Sequence, residues 1–398
     1  MFGEGATLAH PAWLTALASL GLSLLGLHCI GVATAPPPAA PGGEAFEAPA
    51  GFFSGWGGRQ TLYLLIGLVA ALFVCVPRPR VLRLFSWPAM LGVLALLVFL
   101  LVPWVPDSIV TPRNGTRGWI SLGVFDLQPS ELAKIAFVLV TADYLRHRRT
   151  HRTLLGLIPP GVLAFVPIVL ITLQPDFGTA LLFIPALFAM LLAAGARLKH
   201  LGAVVVIAAL AAPAAYPLLL PHQKQRIVGL IEQVRGDRQS AHGVNYQSFT
   251  AMTLAGAGRA SGLDESRART LVRFNRLPER HNDMITSIVM ARFGLLGGLG
   301  LIVLYLTWML GGLLAAALCR DPFGRLVIVG LSAFVGAQAV VNLGMNVGVL
   351  PIIGVPLPYV SYGGSSLISM WVATGLVTSI AMRRPSRGAR DTFEFADE

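Results

Sequence analysis

Four ionisable side chains stand close together in FNRLPERHNDMITS (274–287): Glu279, Arg280, His281 and Asp283. A carboxylate with an imidazole and a guanidinium nearby is equipped for proton transfer next to an anion. The stretch begins polar and runs into an apolar segment. A carboxyl group at such a junction is partly desolvated, which raises its pKa toward the range of a general base. A solvated loop end accounts for the same spacing.

Other costly residues lie upstream. Glu131 and Lys134, in QPSELAKIAF, are three apart and share one helix face. A charge at the bilayer centre costs roughly 2.5–3.5 kcal/mol on insertion scales unless it is paired or faces a wet cavity. The two are either an intrahelical ion pair or the wall of a cavity that takes a polar ligand. Arg117, in NGTRGWISLG (114–123), suits a phosphate or merely a lipid headgroup. The Asn-Gly there marks a turn, and Trp119 suits a membrane interface. Gln128-Pro129-Ser130 and Gln174-Pro175-Asp176 each open a helix, with Asp176 placed to cap the second. In GMNVGVLPIIGVPLPYVSYGGSS (344–366), three prolines interrupt an apolar stretch. Broken backbone at membrane depth is tolerated only where protein or a wet cavity satisfies its polar groups. This stretch is either a tight loop entering the last helix or a cavity wall.

The chain that must position these residues has 398 residues, 55% of them hydrophobic and only 12% charged, about half the usual charged share. So few charges cannot cover a soluble domain. The composition excludes an ordinary cytosolic enzyme, a disordered chain and a secreted disulfide scaffold. The three cysteines, Cys29, Cys75 and Cys319, fall within or at the end of apolar runs, which argues against disulfides and against a zinc site. Ten apolar runs, near 11–35, 59–77, 85–105, 128–146, 154–174, 176–196, 199–220, 284–318, 325–350 and 360–382, can cross the membrane as helices, at about 20 residues per crossing. The eighth is too long for one simple crossing and is expected to extend beyond the membrane or to bend at its glycines. The first run lacks the basic start of a cleavable signal and reads as a retained span. The fold class is therefore all-α and polytopic: one transmembrane domain over 1–382, a large extracytoplasmic loop at about 221–283, and a polar, disordered tail at 383–398.

The net charge of +11 reads as topology rather than as nucleic-acid binding, because the charges sit in short blocks between apolar runs. Alternate loops and the tail hold 15 of the 30 Lys and Arg residues, whereas the other short loops hold Arg59, Arg113 and Arg117. Both termini are thus expected in the cytoplasm. The 221–283 loop carries 10 Lys or Arg, and loops of about 60 residues translocate largely regardless of charge. Within it, HQKQRIVGLIEQV (222–234) is expected to lie along the interface as a short amphipathic helix.

NGTRGWISLG, QPSELAKIA, LQPDFGTALL, LPERHND and GVLPIIGVPLPYVSYGGSS occur in this order between residues 114 and 366. Together they resemble the SEDS family (shape, elongation, division and sporulation), the RodA/FtsW/SpoVE group. LPERH and GVPLPYVSYGGSS look more like the RodA branch than FtsW. The resemblance implies a peptidoglycan glycosyltransferase of the bacterial cytoplasmic membrane. Such a protein polymerises lipid II at the outer face, in elongation or division, beside a class B penicillin-binding protein that cross-links the strands. The family's proposed catalytic Asp matches Asp283, and the polar positions of its fourth-span motif match Glu131 and Lys134. The sequence departs from the pattern at Ala291 and Arg292, which stand before Phe293-Gly294 where the family usually has a Glu-Glu pair. AGAGRASG (255–262) is a weaker version of the family's Gly/Ser-rich stretch.

On that footing, Asp283 is the candidate base, Arg117, Lys134 and Arg280 are candidate partners of a pyrophosphate, and His281 orients or protonates. A divalent cation (Mg2+ or Mn2+) is an alternative to one of these, although no ligand cluster with recognisable metal spacing is present. Membrane lipids are expected neighbours and nucleic acid is not. Two other classes fit the same features: a lipid II flippase or other transporter, and a non-catalytic scaffold for the penicillin-binding protein.

Overall fold

The computed structural model describes residues 10–34, 55–218 and 246–383, apart from 114, 124, 149 and 276, together with 224 and 228. Apart from 224 and 228, the 222–234 segment lies outside the described residues, as do the first outer loop at 36–53 and nearly all of the tail.

Every one of the ten apolar runs holds helix. In chain order these are α1 (Ala12–Thr34), α2 (Trp56–Val74), α3 (Pro79–Leu101), α4 (Pro129–Leu145), α5 (Ile158–Leu173), the pair α6 (Phe177–Leu181) and α7 (Phe183–Ala193), and α8 (Leu198–Ala215). After α9 (Tyr246–Ala257) and α10 (Glu265–Phe274), in the second half of the large loop, come α11 (Ile285–Leu318), α12 (Pro322–Asn346) and α13 (Gly364–Met382). Among the described residues, seven helices are long and apolar enough to cross a membrane: α1, α2, α3, α5 with the turn before it, α11, α12 and α13. Leu72, Phe73, Leu84 and Leu210 are each more than two-thirds exposed, a surface suited to lipid rather than water.

Local chemistry sets the helix starts. Prolines occupy the first turn of α3, α4, α5 and α12, where a missing N–H costs nothing. Asp176, Asp264 and Asp321 cap α6, α10 and α12 by accepting backbone N–H groups three residues on. The sixth run was expected as one span. It breaks at Leu182, because Pro185 has no N–H to return to the carbonyl of Leu181.

The α-helical expectation omitted one small element. Residues 110–127 form an antiparallel sheet of β1 (Val110–Arg113), β2 (Thr116–Ser121) and β3 (Asp126–Leu127), in that order. Val110 pairs with Ile120, Thr111 with Trp119, and Ile120 with Leu127. The expected turn joins β1 to β2 at Gly115, which has φ 79°.

α11 bends as its length required. Gly294 has φ 68° and ψ −160°, a conformation open essentially to glycine alone. The bend strands the N–H groups of Leu295 and Leu296. They donate instead to the carbonyls of Arg259 (2.8 Å) and Ala260 (3.1 Å), while Leu263 N–H donates to Ala291 O (3.0 Å). The turn after α9 thus repairs the break at Gly294. Arg292 lies here with no acidic partner among the described residues: its guanidinium donates to Leu263 O (3.0 Å) and stacks over Phe293 at 4.9 Å.

The interior is packed by aromatic and hydroxyl side chains. Phe137, Phe183 and Phe334 interlock α4, α7 and α12 at centroid distances of 5.2–6.1 Å. Trp308 Nε1 donates to Ser19 Oγ (2.8 Å), which bonds Thr374 Oγ1 (2.9 Å), which in turn bonds the Tyr359 hydroxyl (2.8 Å). That chain ties α1, α11 and α13 to the broken segment between α12 and α13.

Candidate active site

The helix ends divide the polar residues between two faces. One end gathers the β-sheet, the start of α4, the 275–284 turn and the 347–363 segment. At the opposite end Arg383 donates to the carbonyls of Cys75 and Val76, and Arg146 pairs with Asp143 at 3.0 Å.

The 275–284 turn closes on itself. Asn282 N–H and Met284 N–H both donate to Glu279 O (3.0 and 3.2 Å), and Glu279 sits at φ 49°. A non-glycine residue in the left-handed region costs energy, and such residues concentrate at functional sites. The 347–363 segment fastens the turn from the other side. Tyr362 N–H donates to His281 O (2.8 Å), and Ser361 Oγ donates to Asn282 O (2.6 Å) while accepting from Leu357 N–H (2.7 Å). Gln60 on α2 completes the clamp, donating to Ser361 O (3.1 Å) and accepting from Gly363 N–H (3.2 Å). At these positions the broken backbone is satisfied by protein.

Asp283 stands two residues before the first residue of α11, next to the flanking Met284, and is 7% exposed, which rules out the solvated loop end. Its backbone carbonyl accepts from both Asn342 Nδ2 and Asn346 Nδ2, each at 2.8 Å. Facing it is Gly354, at φ 72°, where a Cβ would come within 3.7 Å of Asp283 Oδ2. Glu279, Arg280 and His281 share a cavity of about 240 Å³ with Thr34, Trp56 and Leu277. Asp283 is not among its lining residues. The His281 ring is 4.5 Å from that of Trp56 and 5.7 Å from that of Tyr362. Burial holds its pKa below the ordinary histidine value; Glu279 opposes this and Arg280 adds to it. The shift favours the neutral imidazole, in which one nitrogen is a donor and the other an acceptor.

Glu131 and Lys134 form a buried ion pair at 2.8 Å, with side chains 2% and 3% exposed. Of the two readings left open by their spacing, the intrahelical pair is what forms, inside the bundle rather than at an interface. Lys134 also donates to Gln338 Oε1 (3.0 Å), and Gln338 Nε2 donates to Pro356 O (2.8 Å). Asp176 lies within electrostatic reach of both charges. Arg117 stands apart from this group. It donates to Val105 O (2.8 Å) and faces Asp107 at 3.8 Å, binding β2 to the chain that leaves α3.

Sequence reasoning overlooked Gln338, Asn342 and Asn346, all fully buried on α12. Their signal was present: amides four apart on one face of an otherwise apolar span. Among the described residues, no three His, Cys, Asp or Glu side chains converge as a metal cluster.

A sequence family described as "Cell cycle protein" (FtsW, RodA, SpoVE) matches residues 46–386. The chain belongs to the FtsW/RodA/SpoVE family. Over 334 residues it is 36% identical to the "Probable peptidoglycan glycosyltransferase FtsW" of Nitrosococcus halophilus, covering 81% of each chain. It is 32% identical over 327 residues to the "Peptidoglycan glycosyltransferase MrdB" of Escherichia coli, covering 82% of this chain and 85% of that one. Among solved structures, it matches a chain described under "Structural coordination of polymerization and crosslinking by a peptidoglycan synthase complex". That match has a TM-score of 0.75 at 28% identity, over 94% of this chain and 98% of the other. FtsW and MrdB relatives match at similar identity, so the comparison singles out no branch of the family.

Proposed function

We infer that this protein is a peptidoglycan glycosyltransferase that polymerises lipid II at the outer face of the bacterial cytoplasmic membrane, with Asp283 as its general base. The observation that carries the reading is the placement of Asp283: buried, held by its backbone at the start of α11, and two residues from the cavity wall formed by Arg280 and His281. The names of its relatives support the activity.

Chain growth requires a sugar hydroxyl to attack an anomeric carbon. The new C–O bond forms as the bond to the undecaprenyl pyrophosphate breaks, and the pyrophosphate leaves with the electron pair. Asp283 takes the hydroxyl proton as attack proceeds, a role worth about 10²–10⁴-fold. Arg280 offers a guanidinium, matched to phosphate oxygens, to the charge on the leaving group. Neutral His281, fixed between Trp56 and Tyr362, orients the sugar by hydrogen bonding. Glu131, Lys134 and Arg117 already hold protein partners, and we assign them to support rather than to substrate contact. The described residues do not form a protein-built cation cage, and the roles above belong to this chain's own side chains.

The basic residues at the end opposite the site, Arg146 and Arg383 among them, support a cytoplasmic location for that end, and with it for both termini, by the positive-inside rule. A class B penicillin-binding protein is the partner that would cross-link the product. RodA-like loop motifs favour the elongation branch. The test is purified protein reconstituted in liposomes with lipid II. Glycan polymer without another glycosyltransferase supports the enzyme. Lipid movement across the bilayer without polymer replaces it with a flippase, and partner binding with neither activity replaces it with a scaffold.

A further inference from the structure

We propose that Asn342 and Asn346 are positioning residues that set the geometry of Asp283; the inference rests on Asp283 being the base. The two amides share one face of α12 and are fully buried. Both donate to the same atom, the Asp283 carbonyl oxygen, at 2.8 Å. Their remaining groups are also used. Asn342 Oδ1 accepts from Thr286 Oγ1 (2.7 Å) and its Nδ2 also donates to Val355 O (2.7 Å). Asn346 Oδ1 accepts from Ser287 N–H (3.3 Å).

The first N–H groups of a helix need partners from outside it. Met284, the residue flanking α11, supplies no side-chain cap. Ser287 N–H donates to both Met284 O (3.2 Å) and Asn346 Oδ1 (3.3 Å), so Asn346 supports this helix start from another helix while both amides pin the residue before Met284. Asn342 further joins Asp283 to Val355, next to Gly354, the residue facing the carboxylate. Gln338, one turn earlier on the same face, accepts directly from Lys134, the partner of Glu131, and donates to Pro356 O. One amide face of α12 therefore links the α4 ion pair, the 353–356 backbone and the base. Only a group that donates on one side and accepts on the other can do this. A carboxylate cannot donate and an aliphatic side chain can do neither. Buried amides are costly unless fully bonded, so packing alone favours leucine at these positions.

The experiment is lipid II polymerisation by reconstituted Asn342→Leu and Asn346→Leu, near isosteres that each leave one amide on the Asp283 carbonyl. A misplacement of 1 Å can cost about 10²-fold in rate. Each variant should lower kcat by about 10-fold with KM for lipid II unchanged. The deciding arm repeats both in the Asp283→Asn background, where a residue that works by placing the base has nothing left to place. The residual rate should then stay constant. Normal kcat in either folded variant overturns the proposal, as does an equal fold-loss in the Asp283→Asn background, which marks a purely structural role. Should Asn342→Leu not fold, Asn346→Ala in the last turn of α12 carries the same two arms. A fully active Asp283→Asn instead removes the base assignment itself.

Discussion

Removing Lys134 while leaving Glu131 in place should destabilise the protein far more than removing both. The pair is sealed in the bundle, with side chains 2–3% exposed and 2.8 Å between Nζ and Oε1. At that distance and an effective dielectric of 20, the attraction is about 6 kcal/mol, and desolvation has consumed much of it. The net worth of the pair is therefore small. Losing one partner is another matter, because a buried carboxylate is left uncompensated at a cost of about 3–5 kcal/mol. Gln338 cannot replace the charge: the atom it presents to this site is an acceptor, Oε1. Lys134→Met should thus lower the midpoint of thermal unfolding in detergent by roughly 6–10 °C, at about 2 °C per kcal/mol for a chain of this size. Lys134→Met with Glu131→Leu should recover most of that loss, since apolar replacements of buried pairs are often neutral. The assay is fluorescence-detected thermal stability of the purified proteins at equal detergent and lipid. Equal midpoints for the single and double variants would refute the reasoning, because Glu131 would then not be isolated by the loss of Lys134.

Gly294→Ala forces a side chain onto a glycine-only conformation and within 2.5 Å of Gly262 N, so it should cost about 2–5 kcal/mol, whereas Gly300→Ala, which meets open space, should be neutral or stabilising; thermal midpoints check both. His281 is held below the ordinary histidine pKa, so the unfolded chain binds its proton first as pH falls. Its contribution is intact above about pH 6.5 and lost as pH drops toward the folded value, and His281→Gln should flatten that part of the stability–pH curve. Arg292→Ala removes a bond to Leu263 O and a stack on Phe293, for an expected loss of about 1–3 kcal/mol; an unchanged midpoint would mean that the guanidinium is merely solvated. With the native cysteines replaced by serine, Arg267→Cys should label from outside intact spheroplasts and Arg148→Cys only after permeabilisation; the reverse pattern overturns the proposed orientation.

The helical frame was legible because crossing a bilayer imposes a length. Ten apolar runs each became helix, and the excess length of α11 announced a bend that a glycine then supplied. The sheet at 110–127 escaped because its strands are short and their partners are set by tertiary position rather than by a long alternation. At the site, local spacing paired Glu131 with Lys134 but could not reveal Gln338, which lies 204 residues away from Lys134 in sequence. Asn342 and Asn346 went unread for the same reason: an isolated amide in an apolar span acquires meaning only when the carbonyl it serves is known. Arg117 looked available for an anion because the sequence does not disclose the fold of the chain after α3, whose carbonyls occupy it.

The most direct measurement is lipid II polymerisation by reconstituted Asp283→Asn beside the wild type, at matched protein levels and with folding verified by thermal midpoint. The substitution keeps size and removes the base. A fall in rate of about 10²–10⁴-fold with the fold intact is the predicted result. Polymerisation by Asp283→Asn at the wild-type rate would contradict the account.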